Sequence, residues 1–299
     1  MPLGNPSEYG GCKIDIYAPR EAADLVVVHN PACSEMHNTF FGQKQARKTI
    51  SALTFVETQS SKIPVNRGNA DNMKAVIVNG SPRKNWTTAK MLKSVMQGII
   101  DSGAEAEFIN LYDEPFKGCV SCFACKRKDS KCNGLCAFKD PLTPILKKSL
   151  DADIIVAGSP IYFDSPTGLY RSYMERLLFP ILSYNGKYDP ETNTIKSEIL
   201  KKKIPSALAF TMGQTPDGMK EHFYPEMFEN NRRFLESLLG YCETICSFQG
   251  YQFSDYSRYD VAEFVEPMRA KYRSEKLPED LKKAYEIGKR LVLKAEEYR

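Results

Sequence analysis

From residue 73 onward, short apolar runs alternate with stretches whose apolar residues recur at helical spacing. Ala75, Val76, Ile77 and Val78 make a run suited to a strand buried on both faces. Asn79-Gly80 ends it, and residues 81–85 suit neither strand nor helix. Thr87 or Thr88 then offers an N-cap to a helix with Met91, Leu92, Val95, Met96, Ile99 and Ile100 on one face, closed by Gly103. Further strands are predicted over 105–111, 154–157, 207–210 and 242–248, with a short helix over 141–150. One long helix carries the stripe Phe223, Met227, Phe234, Leu235, Leu238 and Leu239, read as core. A terminal helix carries Leu281, Tyr285, Gly288, Val292 and Ala295, set to pack on the sheet or on another subunit. Such alternation predicts an α/β domain with a parallel sheet and right-handed crossovers.

The flanks read differently. Residues 1–72 hold three candidate short strands, at 14–17, 25–28 and 52–56, and end in a polar linker over 66–72. A piece of about 70 residues is marginal for folding alone, so it is expected to pack as an extension on the main domain, 73–299. His29, Cys33 and His37 are four apart, but Pro31 opposes the helix that would align them, and no metal site is expected there. Residues 181–203 form a long polar connection, read as a hairpin arm around Asn185-Gly186.

Composition narrows the classes. The chain has 299 residues, 42% of them hydrophobic, and a net charge of +4. Basic stretches such as Lys201-Lys202-Lys203 read as solvated faces, so no nucleic-acid arm is expected. No apolar run approaches a membrane span of about 18 residues, and residues 1–13 lack the apolar core of a signal peptide. The expectation is a soluble cytoplasmic protein. Of nine cysteines, five fall between 119 and 136, which in a reducing compartment points to metal or redox chemistry. Cys242 and Cys246 share a face of the last strand and read as buried structural thiols, and His222 as structural.

Two stretches carry candidate chemistry. A helix opening straight out of a strand leaves free N–H groups and partial positive charge, an anion site to which Ser81, Arg83, Asn85, Thr87 and Thr88 add donors. At the end of the third strand, Pro160, Ile161, Tyr162 and Phe163 can wall a planar ring, and Gly213 lies in a third loop at the same edge. The cysteines, in a loop spanning 118–137, follow C-x2-C-x2-C-x6-C at Cys119, Cys122, Cys125 and Cys132, with Cys136 four residues later. That spacing serves iron–sulfur clusters and zinc alike. Lys126, Arg127, Lys128 and Lys131 are expected to offset thiolate charge and lower the thiol pKa values.

Gly80-Ser81-Pro82-Arg83 followed by Thr-Thr-Ala and a helix resembles the flavin-phosphate loop, G-S-P-R-x-x-G-N-T, of the flavodoxin-like NAD(P)H-dependent FMN reductases. Trp86 stands where Gly is common there, and Thr87 where Asn is common. Ser-Pro-Ile-Tyr-Phe, then Thr167-Gly168 and Glu175-Arg176, resembles that family's flavin-ring loop and the helix after it. The cysteine spacing resembles the compact motif of the iron–sulfur flavoproteins, placed after the second strand of the same fold. The resemblance covers about residues 73–250. It implies a doubly wound, flavodoxin-like parallel sheet of five strands in the order 2-1-3-4-5. It implies FMN, a [4Fe–4S] cluster on Cys119, Cys122, Cys125 and either Cys132 or Cys136, and NAD(P)H or a reduced ferredoxin as donor. A small-molecule or ferredoxin redox partner and a homo-oligomer follow from the same likeness. The flavin would carry the chemistry, so no acid or base is named as catalytic. An electron carrier or redox sensor with the same cofactors, a flavin-only reductase, and a zinc-stabilised binding module are the alternatives.

Overall fold

The computed structural model describes residues 72–184, 188–189, 194–195 and 199–299. The N-terminal extension up to residue 71, with its candidate strands and His29, Cys33 and His37, lies outside them, as does the Asn185-Gly186 turn.

Strand and helix alternate as the apolar pattern requires. The first units are β1 (Lys74–Asn79), α1 (Thr87–Asp101), β2 (Glu105–Asn110) and α2 (Leu142–Asp151). Next come β3 (Ile154–Tyr162), α3 (Gly168–Ile181), β4 (Ile204–Thr211), α4 (Pro216–Glu221) and α5 (Tyr224–Leu239). The chain closes with β5 (Gly240–Ser247), α6 (Val265–Glu275) and α7 (Leu277–Tyr298). The five long strands pair in parallel in the order β2-β1-β3-β4-β5, with Ala75 level with Ala106 on one side and Ile154 on the other. A two-residue segment, Ser165–Pro166, folds back antiparallel on the end of β3 and was not foreseen. In the polar connection, Tyr188–Asp189 pairs antiparallel with Thr194–Ile195.

Strands β1, β3 and β4 bury both faces, in line with their apolar runs, whereas the edge strand β2 buries neither face fully. In β1, Val76 and Val78 enter one core with side chains of α2, α3 and α5, while Ala75 and Ile77 enter the other with α1 and α7. Each fully buried aliphatic side chain here is worth about 1.5–3 kcal/mol. Helices α1 and α7 cross at Gly98 and Gly288, where a Cβ would come within 2.0 Å of Tyr285 O and 2.1 Å of Val95 O respectively. Cys242 is buried and Cys246 packs against the same core, both thiols pushed up to about 12 by burial.

Three expectations need correction. The N-cap of α1 is Trp86, extended at φ −95°, because the helix starts one residue earlier than the threonine caps require. Strand β3 runs on to Tyr162, since Ser159 and Pro160 still pair with β4 and Ile161 and Tyr162 with the fold-back segment. The stripe from Phe223 to Leu239 is broken: Phe223 precedes α5 in a left-handed conformation (φ 54°) and is exposed. Phe234 is exposed too, a turn of about 100° from Leu235 on the helix. The core face of α5 is Tyr224, Phe228, Leu235 and Leu239.

Candidate functional site

The carboxyl ends of β1, β3 and β4 present three loops at one edge of the sheet, where open α/β sheets bind ligands. The first loop is built from the strand upward. Asn79 donates to Asn110 Oδ1 (3.0 Å) and accepts from Ser81 N (3.1 Å), and Ser81 Oγ accepts from Arg83 N (3.1 Å). Gly80 donates to Gly158 O at 2.7 Å, and its carbonyl accepts from Thr167 Oγ1 at 2.6 Å. A Cβ at Gly80 would meet Tyr170 Cβ at 2.7 Å, so only glycine fits where loop and α3 touch. These bonds fix the entry to α1.

Among the described residues no side chain caps that entry and no acid stands in the first turn of α1. Its N–H groups are left for an external acceptor, and the helix dipole favours an anion there. Arg83 stacks over Trp86 (4.5 Å to the ring centre) and donates to Gln252 O. Thr88 is buried and its hydroxyl lies 2.6 Å from that of Thr211 at the end of β4. Ser81 and Thr88 therefore shape the loop, and their hydroxyls are engaged with the protein. Asn85 accepts from Lys93 at 3.4 Å, and Asn85 and Thr87 line a cavity of about 270 Å³ with Ser247, Gly250, Tyr251 and Arg273.

The second loop follows β3. Tyr162 is half exposed and Phe163 fully so, whereas Ile161 is buried in the core. Of the expected ring-wall set, Tyr162 and Phe163 thus face outward, and Ile161 offers a ligand only its backbone. Pro160 is partly buried. Burial raises the Tyr162 pKa, and the positive charge of Arg83 opposes the rise. Phe163 and Asp164 are both left-handed, at φ 48° and 57°. Asp164 is held by Tyr224 Oη (2.6 Å) and His222 Nδ1 (3.5 Å), so His222 braces this loop. Burial and the bond to Asp164 push Tyr224 up to about 12. Gly213, in the third loop, leaves only 3.2 Å between a would-be Cβ and Arg269 Nη2.

Sequence reasoning missed several of these groups. Arg269 donates to Gly250 O at 2.7 Å while its Nε has no partner. The segment 247–256, after β5, carries no motif; only its position after a core strand at the same edge could have flagged it.

The cysteine loop lies against α3. Cys119, Cys122, Cys125 and Cys136 line one small hollow with Phe138, Glu175 and Arg176. Cys132 does not line this hollow, and its Sγ lies 3.9 Å from Ala124 O. Of the expected quartet, Cys119, Cys122 and Cys125 thus share the hollow and Cys132 is not among its lining residues; the chain turns just after it at Asn133 and Gly134, both left-handed. Among the described residues no three His, Cys, Asp or Glu side chains converge as a bound metal would hold them. The basic residues also act otherwise than expected. Lys126 caps the C-terminus of α3 through the carbonyls of Phe179, Pro180 and Leu182, and Arg127 pairs with Asp129 at 2.8 Å. Burial raises the Cys125 thiol instead of leaving it lowered by Lys126.

A doubly wound parallel sheet with an open helix N-terminus and an aromatic loop at its carboxyl edge defines a flavodoxin-like α/β domain. Residues 73–211 match the family model described as NADPH-dependent FMN reductase. Over this stretch the chain is similar to the NADPH-dependent FMN reductases and to proteins named iron–sulfur flavoproteins. An iron–sulfur flavoprotein from Methanocaldococcus jannaschii is 35% identical over 104 residues, which are 35% of this chain and 51% of that protein. One from Archaeoglobus fulgidus is 36% identical over 104 residues, 35% of this chain and 48% of that protein. The chain spans about half the length of these curated relatives. Among solved structures, an FMN-dependent NADH-azoreductase from Bacillus anthracis in complex with FMN superposes with a TM-score of 0.48 at 15% identity, covering 74% of this chain and 99% of that one. An NAD(P)H:quinone oxidoreductase from Methanothermobacter marburgensis gives 0.47 at 15% identity, over 73% and 96%.

Proposed function

We propose that the chain is an FMN-dependent oxidoreductase that takes electrons from NAD(P)H or a reduced ferredoxin. The observation that carries this reading is the uncapped N-terminus of α1 at the edge where Tyr162 and Phe163 stand exposed. The first-turn N–H groups would hold the flavin phosphate, with Thr87 and Asn85 at its flank and Arg83 supplying a fixed cation. Ser81 and Thr88 position that turn through their internal bonds. Tyr162 and Phe163 would cover the ring and exclude water from it, and Gly213 keeps the third loop low. When bound, FMN supplies electron exchange between a two-electron donor and one- or two-electron acceptors.

The reading includes a [4Fe–4S] cluster on Cys119, Cys122, Cys125 and one further thiolate. Its support is the donor set: cysteines lining a single hollow, which a buried guanidinium closes. Thiolates in such a set suit iron–sulfur chemistry.

Anaerobic purification of the full chain tests both parts. Stoichiometric FMN with NAD(P)H oxidation supports the reductase. Flavin that is reduced only by a protein donor makes the chain an electron carrier. Failure to bind FMN at any micromolar concentration refutes the proposal.

A further inference from the structure

Arg176 is almost wholly buried at the inner end of the cysteine hollow. Its Nη1 donates to Asp140 Oδ2 (2.5 Å) and Lys117 O (2.8 Å), and its Nη2 to Phe138 O (2.7 Å). The Nε has no hydrogen-bond partner. A buried donor left without an acceptor is costly, and a charged N–H bonds an anionic acceptor more strongly than a neutral one. The thiol beside this guanidinium is that of Cys136.

The chain path favours the same residue. Arg176 grips Phe138 and Asp140, two and four residues after Cys136, so one side chain anchors that end of the loop to α3. Cys132 has no such tie to the hollow. It sits just before the left-handed pair Asn133 and Gly134, with its sulfur directed at Ala124 O.

We infer that Cys136, rather than Cys132, supplies the fourth thiolate of the centre begun by Cys119, Cys122 and Cys125, and that Arg176 positions it by donating from Nε. The ligand pattern of this chain is then C-x2-C-x2-C-x10-C. The inference rests on the metal part of the proposed function and deepens it.

The test uses the full chain prepared anaerobically as wild type, Cys132→Ser and Cys136→Ser. Iron, acid-labile sulfide and the visible spectrum are read, with bound flavin as the check on folding. Cys132→Ser is expected to keep the wild-type iron, and Cys136→Ser to lose it while retaining flavin. The reverse pattern, or equal iron in both variants, overturns the inference. Iron absent from the wild type overturns the metal reading itself, and this assignment with it. A second measurement needs no variant: alkylation of the native iron-loaded protein, read by mass spectrometry. Cys132 should be labelled and Cys136 protected until iron is removed by chelation. Protection of Cys132 with labelling of Cys136 also overturns the assignment.

Discussion

Thr88 Oγ1 and Thr211 Oγ1 lie 2.6 Å apart in the interior, joining the first turn of α1 to the last residue of β4. The pair sets where the open helix end stands over the sheet, and so where an anion would sit. Thr88→Val leaves the Thr211 hydroxyl buried without this partner and should cost about 1–3 kcal/mol. Adding Thr211→Val should recover part of that loss. Urea unfolding of the two single variants and the double variant gives the coupling energy. Strict additivity would show that the bond contributes nothing.

Ser81 acts on the loop in another way. Its hydroxyl accepts from Arg83 N, and its own N–H bonds Asn79. Ser81→Ala removes the first bond and leaves the second. The expected result is a loss of about 0.5–1.5 kcal/mol in FMN binding, roughly twofold to twelvefold in Kd. Fluorescence titration with FMN measures it, and an unchanged Kd in the folded variant would show that the Ser81 hydroxyl plays no part in FMN binding.

Much of this was legible in the sequence, for definite reasons. A strand such as 74–79 is buried on both faces, so its apolar run is continuous and short, and the loop after it carries Gly and Pro punctuation. The path of the cysteine loop was not legible, because two-residue spacing says that thiols can converge without saying which do. The end of that loop is held instead by Arg176, a residue of α3 far along the chain that grips Phe138 and Asp140. The Asp164–Tyr224–His222 brace was hidden likewise, since its members come from two segments that meet only once β3 and β4 are paired. The failed stripe at Phe223 shows the limit of periodicity: a left-handed residue before a helix resets the phase, and no apolar count reports it.

The Arg176–Asp140 pair should give the fold an acid limb. Burial alone would raise the Asp140 carboxyl, but the bonds from Arg176 and Lys117 N outweigh it and hold the pKa below the ordinary carboxylate range. A depressed carboxylate contributes stability that is full above its unfolded value, about 3.9, and is lost as pH falls through the folded value. Wild-type stability should therefore drop below about pH 4 more steeply than that of Asp140→Asn. At neutral pH the same substitution leaves a buried guanidinium without its counter-charge, at a cost of about 3–5 kcal/mol. Denaturant melts from pH 3 to pH 7 test both statements, and parallel profiles for the two proteins would rule out the pair as the source of the acid limb.

The crossing of α1 and α7 sets the position of α1 from its far end. A Cβ on Gly98 would stand 2.0 Å from Tyr285 O, and one on Gly288 2.1 Å from Val95 O. Both contacts are with backbone, so no rotamer change can relieve them, and the helices must move apart. Separation would strip packing from Val95, Ile99, Leu291 and Val292, all buried between these elements. In an exposed helix Gly→Ala would gain about 1 kcal/mol from propensity. Here overpacking of about 1–3 kcal/mol or more opposes that gain, because the obstacle is main chain. Gly98→Ala and Gly288→Ala should each lower stability by at least about 2 kcal/mol, and the double variant should lose less than the sum, since the first separation makes room for the second methyl. Because α1 also carries the open N-terminus, both variants should bind FMN more weakly even where they remain folded. Thermal melts with and without FMN separate the two effects. A stabilised Gly98→Ala protein would show that the helices cross with more room than the backbone distances imply.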